Sequence, residues 1–372
     1  MFEQTQPVSF FLGANTPSGF VGYLDDLYDA KSGWHAFLIK SGPGTGKNTL
    51  IRAVLHAMVA LEEPVEAICC SSDPNSLDGL RCPRLKLCIL DATAPHIMEP
   101  RYWGAGEETV DLCACMRSAL LRSDAAEIIR LTDACSAMHA RCRSLLRGAS
   151  VFLNETAQIA AEYTDFSKIV HTADRIAAFT FGRKSAVPGT ETRRFLSAVT
   201  PEGHVFFEKT IPSLCDTIYS IEDETGAVSG VFLSVIREKA LQAGYPIITC
   251  ACPLNPQKKL EHLLIPSLHL GFTTANRWHR LDAPVFRRIH AARFTDLHAM
   301  RARKQTMAFY RRTAKLFLQE AISAAKSAKL LHDQMESFYI PAMNWEKADV
   351  LQHSIVSQFE SASRAYSEKI RS

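Results

Sequence analysis

Apolar residues along the chain fall into short runs and into helical spacing. Between two of the runs, apolar residues recur at i, i+3, i+4 and i+7, which predicts an amphipathic helix over residues 50–61. Strands that alternate with helices are typical of a parallel sheet covered on both faces. The short runs predict strands near residues 35–40, 65–70 and 85–90, and again near 217–221, 246–251 and 268–273.

The chain also repeats itself. The segment FLGANTPSG at 11–19 matches FLSAVTPEG at 195–203 in six of nine positions, at an offset of 184 in the numbering. PRLKL at 83–87 matches PSLHL at 266–270 at an offset of 183, and His96 falls on His279. Matches that keep one order and nearly one offset indicate two similar domains in tandem.

We therefore predict a first domain over residues 1–184 and a second over 185–372, joined by the polar, Gly- and Pro-containing loop at 182–190. Each ends in a stretch with few Gly or Pro residues, at about 108–180 and 290–370, which predicts helical hairpins or small bundles. Projection of these helices as arms and packing onto the sheets are both compatible with the pattern.

Composition narrows the class of protein. The 372 residues are 47% hydrophobic and 22% charged with a net charge of +3, which excludes a disordered or fibrous chain and does not by itself indicate nucleic-acid binding. No run of 18 apolar residues exists, and residues 1–6 lack the features of a signal peptide, so we expect no membrane span. Eleven cysteines without a C-x-x-C pair predict free thiols and a cytoplasmic location.

A glycine-rich segment, SGPGTGKNT at residues 41–49, lies between the predicted strand at 35–40 and the predicted helix. Glycines let successive N–H groups turn around an anion, and a helix N-terminus favours the same anion. Lys47 adds a full positive charge for β- and γ-phosphates. The segment thus predicts a P-loop, with ATP contacted by Gly42, Pro43, Gly44, Thr45, Gly46, Lys47, Asn48 and Thr49.

The segment departs from the pattern G-x-x-x-x-G-K-[ST] at two positions. Ser41 replaces the first glycine, although Gly42 and Gly44 still free the loop. Asn48 replaces the Ser or Thr that would hold Mg²⁺; an amide oxygen can ligate Mg²⁺ but does so less commonly in this setting. Lys47-Asn48-Thr49 is similar to the Lys-Gly-Thr of adenylate-kinase-like enzymes, whose metal is held largely by water and phosphate.

An acidic residue is expected at the end of a neighbouring buried strand. Four apolar residues at 87–90 precede Asp91, a Walker-B-like pattern that predicts a role in orienting Mg²⁺; an exposed turn aspartate is the alternative. Lys47 and Asp91 are thus the predicted catalytic residues, and Asn48 and Asp91 the predicted metal ligands. Weaker candidates are Asp73 as a further metal ligand, then Asp78, His96 and Glu99, with Arg81, Arg84 and Arg101 as phosphate clamps.

The second copy lacks these groups. An offset of 184 places Thr225–Val231 opposite Ser41–Lys47, so that Val231 replaces the lysine. At an offset of 183, Thr274 stands at the position of Asp91. An apolar side chain beside several carboxylates should repel a triphosphate. We predict that the second domain binds no ATP and instead packs on the first or carries a substrate or partner surface. The carboxylates are Glu222, Asp223 and Glu224.

One stretch is strongly basic. Between Arg277 and Lys315 there are 11 Lys or Arg residues against two Asp. Contact with nucleic acid or an acidic partner is one interpretation. A solvated helix face is the other, and we favour it. The interleaved aromatic residues are Phe286, Phe294, Phe309 and Tyr310.

Three motifs together carry a family resemblance: GPGTGK at 42–47, SSDPNSLDG at 71–79 and DATAPH at 91–96. They resemble a family of uncharacterised bacterial tandem P-loop ATPase-like proteins, over most of the chain. The family usually has Gly and Ser at the positions of Ser41 and Asn48. The resemblance implies two tandem P-loop-NTPase-like domains, of which the second is degenerate, and ATP binding. It supplies no established substrate.

Three functions follow as hypotheses. The first is an ATPase or kinase-like phosphotransferase that uses Mg²⁺-ATP on the first domain, with an unidentified substrate or protein partner. The second is a nucleotide-gated interaction or sensor protein with little turnover. The third, which we favour least, is a nucleic-acid-associated ATPase that uses the basic stretch.

Overall fold

The structure is a computed structural model that describes residues 7–182 and 185–371. Residues 1–6, and residues 183 and 184 at the predicted domain boundary, lie outside the described part of the chain. The fold is mixed α/β, with two six-stranded, mostly parallel sheets that are each followed by helices. All eleven cysteines carry free thiols, as predicted.

The strands of the first half are β1 (Val8–Phe11), β2 (Gly13–Thr16), β3 (Gly19–Gly22), β4 (His35–Lys40), β5 (Glu66–Cys69), β6 (Leu77–Cys82), β7 (Leu87–Asp91) and β8 (Glu107–Asp111). The main sheet of this half has the strand order β1-β5-β6-β7-β4-β8. Its neighbours pair in parallel except at β6, which is antiparallel to both β5 and β7.

The strands of the second half are β9 (Glu191–Arg194), β10 (Ser197–Thr200), β11 (Gly203–Phe206), β12 (Thr217–Glu222), β13 (Ile247–Ala251), β14 (Leu260–Ile265), β15 (Leu270–Ala275) and β16 (Arg287–His290). The main sheet of this half has the equivalent order, β16-β12-β15-β14-β13-β9, with β14 antiparallel to both of its neighbours. Two small sheets, β2-β3 and β10-β11, form at the repeated T-P-x-G turns.

The prediction of parallel sheets is confirmed for most of the strand pairs, but β6 and β14 run antiparallel to their neighbours. The strand β6 begins at Leu77, a few residues after β5 ends at Cys69. Because a parallel crossover needs about a dozen residues or more, so short a connection must return antiparallel.

The repeat is visible in the register of the strands. Ile39 of β4 pairs with Asp91, and Ile221 of β12 pairs with Thr274. Because the two pairs occupy equivalent places in the two sheets, this register confirms that Thr274 stands opposite Asp91.

The predicted alignment of the two glycine-containing loops was wrong, however. The strands β3 and β11 begin at Gly19 and Gly203, which keeps the offset of 184. The next strands, β4 and β12, begin at His35 and Thr217, so the offset has fallen to 182 before the loops are reached. Ser229, and not Val231, is therefore the counterpart of Lys47.

Three of the helices are long, with 38, 36 and 27 residues. Among the described residues, no helix combines the length and the apolar character needed to cross a bilayer. In chain order the helices are α1 (Lys47–Ala60), α2 (Ser118–Arg122), α3 (Ala125–Glu162), α4 (Phe166–Thr180), α5 (Thr210–Leu214), α6 (Ser229–Gln242), α7 (Leu297–Met300), α8 (Lys304–Tyr339) and α9 (Trp345–Arg371).

The described chain divides into two compact units. Unit 1 contains the residues up to Gly13, then Gly22–Ala140, and the residues from Ser323 onward; unit 2 contains Ala14–Val21 and Arg141–Ile322. Each unit therefore combines the sheet of one half with helices from both halves. The boundary at residue 184 stays a prediction about the sequence repeat.

Amphipathic helices complete the core of each unit. In unit 1, α9 packs along α1, and its buried Phe359 lies 5.3 Å from the ring of Phe37. In unit 2, α4 packs along α6, and its apolar positions Ile169 and Ile176 join a buried cluster with Phe272 of the sheet. Each of these helices thus buries an apolar stripe against a sheet layer, as its spacing requires.

Candidate functional site

The glycine-rich segment at residues 41–49, here called the Lys47 loop, connects β4 to α1 in unit 1. Gly44 and Gly46 have φ values of +64° and +93°, a region that glycine adopts without steric cost. The buried Thr45 hydroxyl donates to the carbonyl of Gly42 over 2.9 Å and closes the turn. The loop therefore leads directly into the N-terminus of α1, where backbone N–H groups favour an anion.

The structure brings together the two residues predicted to be catalytic. Lys47 Nζ donates to the Gly42 carbonyl over 2.6 Å and lies 3.6 Å from Asp91 Oδ2. Parallel pairing of β7 with β4 produces this contact, because both strands end at the same edge of the sheet. The side chains of Lys47 and Asp91 are only 17% and 14% exposed, so water screens their charges weakly.

Asp91 is fixed on one side only. Its Oδ1 accepts the backbone N–H of Thr93 over 2.9 Å and also the Thr93 hydroxyl. Its Oδ2 faces the Lys47 ammonium. A carboxylate held in this way can orient water around a cation or stabilise the lysine. The predicted role of Asp91 in orienting Mg²⁺ stays a prediction.

Asn48 has a structural role in this arrangement. Its Oδ1 accepts the backbone N–H of Leu77 over 3.0 Å and Nε of Arg52 over 3.2 Å. Both lone pairs of this oxygen are used: the bond from Leu77 connects α1 to β6, and the bond from Arg52 lies within α1. Metal ligation by Asn48 stays a prediction, and it would require one of these bonds to break.

The weaker sequence candidates have other partners. Asp73 closes its own turn by accepting from Ser76, and it also pairs with Lys329 at 3.2 Å. Glu99 pairs with Lys40. The three arginines suggested as phosphate clamps each contact a different carboxylate, so no observed contact supports that role. The pairs are Arg81 with Glu66, Arg84 with Glu63, and Arg101 with Asp25.

His96 and Asp78 form a buried pair near the Lys47 loop. Their Nε2 and Oδ2 atoms are 3.0 Å apart. Burial alone would lower the pKa of His96, but the Asp78 carboxylate outweighs this effect and raises it. Asp91 also raises the pKa and Lys47 lowers it, so the four groups share one electrostatic environment.

An acidic side chain of α8 closes the Lys47 loop. Glu336 Oε1 accepts the backbone N–H of Gly44 over 3.1 Å. The ring of Tyr339 packs so closely on Gly42 that an added Cβ would lie 2.9 Å from it, and Trp345 covers Gly46 in a similar way. We call residues 336–345 the α8–α9 cap. Its carboxylate occupies a position suited to a phosphate oxygen.

The equivalent turn of unit 2, residues 223–230, is here called the Asp223 loop. Asp223 corresponds to Ser41 at the offset of 182, and it is buried. Burial would raise the pKa of Asp223, but backbone N–H donors and Lys259 outweigh that effect and lower it. The carboxylate accepts the backbone N–H groups of Thr225, Gly226, Val228 and Ser229 over 2.8–3.0 Å.

The Asp223 loop thus contains its own anion. The carboxylate uses the N–H groups that a phosphate would need. Lys259 Nζ also packs closely on Gly226, since a Cβ added to Gly226 would lie 2.9 Å from it. This supplies a physical reason for the prediction that the second half binds no ATP. The reason differs from the one derived from sequence, because Val231 is not the decisive residue.

The acid–histidine pair recurs in unit 2. Glu261 and His279 stand at the positions of Asp78 and His96, and Glu261 Oε2 lies 3.9 Å from His279 Nδ1. Lys259 Nζ is 2.9 Å from Glu261 Oε1. Burial would raise the pKa of Glu261, but Lys259 outweighs it and holds the pKa at about 2. The lysine and the glutamate are therefore both ionised.

Protonation of the half-buried His204 and of the buried His262 and His279 should destabilise unit 2 in acid. Burial lowers the pKa of His204 to about 4, and it also lowers those of His262 and His279. Because these folded pKa values lie below the unfolded value of about 6.5, stability is complete above pH 6.5 and falls as the pH drops toward 4. Protonation of His204 alone should lower the free energy of unfolding by about 2 to 3 kcal/mol between pH 7.5 and pH 4.5.

Urea unfolding of wild type and His204→Asn at both pH values measures this effect. The variant should lose less stability on acidification than wild type, by about that amount. An equal loss in the two proteins would show that His204 titrates normally in the folded state.

Comparison of the chain with known proteins finds no matching family model, no matching curated protein and no matching solved structure. The interpretation of the site therefore depends on its own geometry and charge. The glycine turns, the N-terminus of α1 and the Lys47 ammonium all favour an anion. Sequence reasoning singled out Lys47 and Asp91, and the structure places these two side chains beside each other. It missed Glu336, for which no local sequence pattern exists.

Proposed function

We propose that the chain binds a nucleoside triphosphate, with ATP the first candidate, at the Lys47 loop of unit 1. Binding would displace the α8–α9 cap, so the protein would act as a nucleotide-gated switch with slow turnover. One observation carries this proposal: the Lys47 loop already holds a carboxylate, that of Glu336, on the N–H of Gly44.

A triphosphate is well suited to replace Glu336. It carries several negative charges against the single charge of a carboxylate, and it offers acceptors to several N–H groups at once. The Lys47 ammonium, now bonded to the Gly42 carbonyl, is the nearest cation for its β- and γ-phosphates. Competition between two anions for one loop couples nucleotide binding to the position of the cap.

Slow turnover is supported by the groups available for a metal. Asn48 uses both lone pairs within the protein, which leaves Asp91 as the predicted ligand suited to Mg²⁺. When bound with ATP, Mg²⁺ would neutralise phosphate charge. Asp91 would orient its water, and Lys47 would hold the transferring phosphoryl group.

ATP hydrolysis or phosphoryl transfer is the second candidate function, and the Lys47–Asp91 distance of 3.6 Å favours it. The variant Asn48→Ser separates the two candidates. If the native chain is a switch, phosphate release should rise sharply in the variant, because a hydroxyl then reaches the metal. Rapid release by wild type that the variant does not increase would favour the enzyme.

A nucleic-acid-associated role receives less support. Arg277 and Arg288 of the basic stretch form ion pairs with Glu224 and Glu222, and Phe294 is buried. These residues are used within the protein, which agrees with the solvated-face interpretation for part of the stretch.

The substitution Glu336→Gln is expected to tighten ATP binding by about 5- to 10-fold. It keeps the shape of the side chain but removes the negative charge from its hydrogen bond to Gly44. The conformation in which the α8–α9 cap covers the loop should therefore lose about 1 to 1.5 kcal/mol of stability. Titration with a fluorescent ATP analogue measures the change. Glu360→Gln is the matched control, because Glu360 forms an ion pair with Arg364 on α9, away from the Lys47 loop. Unchanged or weaker binding in Glu336→Gln would contradict the gating mechanism.

A further inference from the structure

Unit 2 contains a cavity that the proposed nucleotide site does not use. Its volume is about 360 Å³, within the range of small-molecule sites. Its walls are the second part of α3, residues 311–322 of α8, the Asp223 loop, and the chain segments 252–261 and 276–279. All of these belong to unit 2.

The helical walls of the cavity combine apolar side chains with polar ones, the latter from Ser150, Asn154 and Thr156 of α3 and from Arg311 and Lys315 of α8. Leu153 and Ala157 contribute from α3, and Leu318 and Ile322 contribute from α8 at helical spacing. The indole of Trp278 closes another side. Such walls favour a ligand with a flat or branched apolar body.

Some charged side chains around the cavity have partners of their own, whereas others have no ionic partner in the part of the chain that the structure describes. Lys259 is neutralised by Glu261, and Arg277 pairs with Glu224 at 3.0 Å. Asp223 is satisfied by the N–H groups of its own loop. Arg311 and Lys315 remain, one turn apart on α8.

Within the described residues, neither Arg311 nor Lys315 has a carboxylate within ion-pair distance; Arg311 Nε donates only to a backbone carbonyl of its own helix. Two cations without acidic partners beside an apolar cavity favour an anionic ligand group. The Asp223 carboxylate already accepts the backbone N–H groups of its own loop, so the anionic group of a ligand would not bind there. A nucleotide is therefore disfavoured in this cavity.

Two buried polar atoms that line the cavity lack hydrogen-bond partners among the described residues. Glu261 Oε2 is an acceptor, and His279 Nδ1 lies 3.9 Å from it. His279 Nε2 is 3.0 Å from the Ser197 hydroxyl; if it accepts from that hydroxyl, Nδ1 carries the proton. One hydroxyl oxygen can donate to Glu261 and accept from His279 over this separation. Buried unpartnered groups of this kind are costly when left unsatisfied.

We propose that the cavity of unit 2 binds a small organic acid with an apolar, ring-containing body. Its anionic group lies at Arg311 and Lys315, its body contacts Trp278 and the α3 and α8 walls, and a hydroxyl group reaches Glu261 and His279. This site is separate in chemistry from the Lys47 loop. The second half has thus kept a ligand site while losing the groups for polyphosphate.

Three probes test the proposal: 6-hydroxy-2-naphthoate, 2-naphthoate and 2-naphthalenemethanol, titrated into the full chain by calorimetry. We expect the hydroxy acid to bind most tightly, 2-naphthoate about 5-fold more weakly, and the uncharged alcohol at least 10-fold more weakly. Equal binding of the acid and the alcohol, or no binding of any probe, would overturn the proposal.

Two substitutions locate the site. Lys315→Gln should weaken binding of 6-hydroxy-2-naphthoate by about 5-fold, whereas Arg312→Gln, which changes an exposed neighbour outside the cavity lining, should leave it unchanged. Lys47→Ala should also leave it unchanged, which separates this proposal from the nucleotide site. Equal weakening by Lys315→Gln and Arg312→Gln, or loss of the probe in Lys47→Ala, would place the acid elsewhere.

Discussion

Replacement of Lys47 by alanine is expected to weaken ATP binding by about 100-fold. The ammonium is the nearest cation to the loop, and a charged contact to the β- and γ-phosphates contributes about 3 kcal/mol. Because the variant also removes the ammonium that faces the weakly screened Asp91 carboxylate, its urea unfolding is measured in parallel to show that it is folded under the titration conditions. Calorimetric titration of wild type and variant with Mg²⁺-ATP measures the change.

Lys31→Ala is the matched control for this experiment. It removes the same charge from an exposed position in unit 1 and should leave the affinity for ATP unchanged. Equal affinities in wild type and Lys47→Ala would show that ATP, if it binds, does not bind at the Lys47 loop.

The substitution Asp223→Ala is expected to destabilise unit 2 by about 3 to 5 kcal/mol. Four backbone N–H groups would lose their acceptor, and Lys259 would lose part of its negative environment. Urea unfolding measures the loss. Glu224→Ala is the control, since its surface pair with Arg277 should contribute less than about 1 kcal/mol.

Sulfate provides a second measurement on the same variant. If Asp223 acts as an internal anion, its removal leaves the N–H groups of the loop without an acceptor. Sulfate should then stabilise Asp223→Ala more than it stabilises wild type, where it acts only as a general stabilising salt. Chloride at matched ionic strength is the comparison. A loss below about 1 kcal/mol, or an equal stabilisation of the two proteins by sulfate, would contradict this role for Asp223.

Much of the fold was predictable because it depends on local pattern. The apolar spacing of α1 and the apolar run before Asp91 each identify an element without reference to the rest of the chain. The Lys47 loop was equally visible, because its glycines, its lysine and the following helix are contiguous. The antiparallel return of β6 depends on the length of one connection, which the pattern of apolar residues does not reveal.

Other features depend on contacts that sequence spacing does not encode. Glu336 meets Gly44 across 292 positions of the chain, so no motif could indicate the α8–α9 cap. Asp223 was noticed as a negative charge, but its role follows from backbone N–H groups that converge on it. The second loop was aligned wrongly with the Lys47 loop because the offset between the two halves changes outside the segments that match in sequence.

Hydrogen–deuterium exchange of the wild-type chain with and without Mg²⁺-ATP tests the central claim most directly. We expect ATP to slow exchange at residues 41–49 and to speed it at residues 336–345, because the nucleotide replaces Glu336 on the loop. Residues 223–230 should not change. Protection of residues 223–230 instead, or slower exchange of the α8–α9 cap together with the Lys47 loop, would contradict the claim that ATP binds unit 1 by displacing the cap.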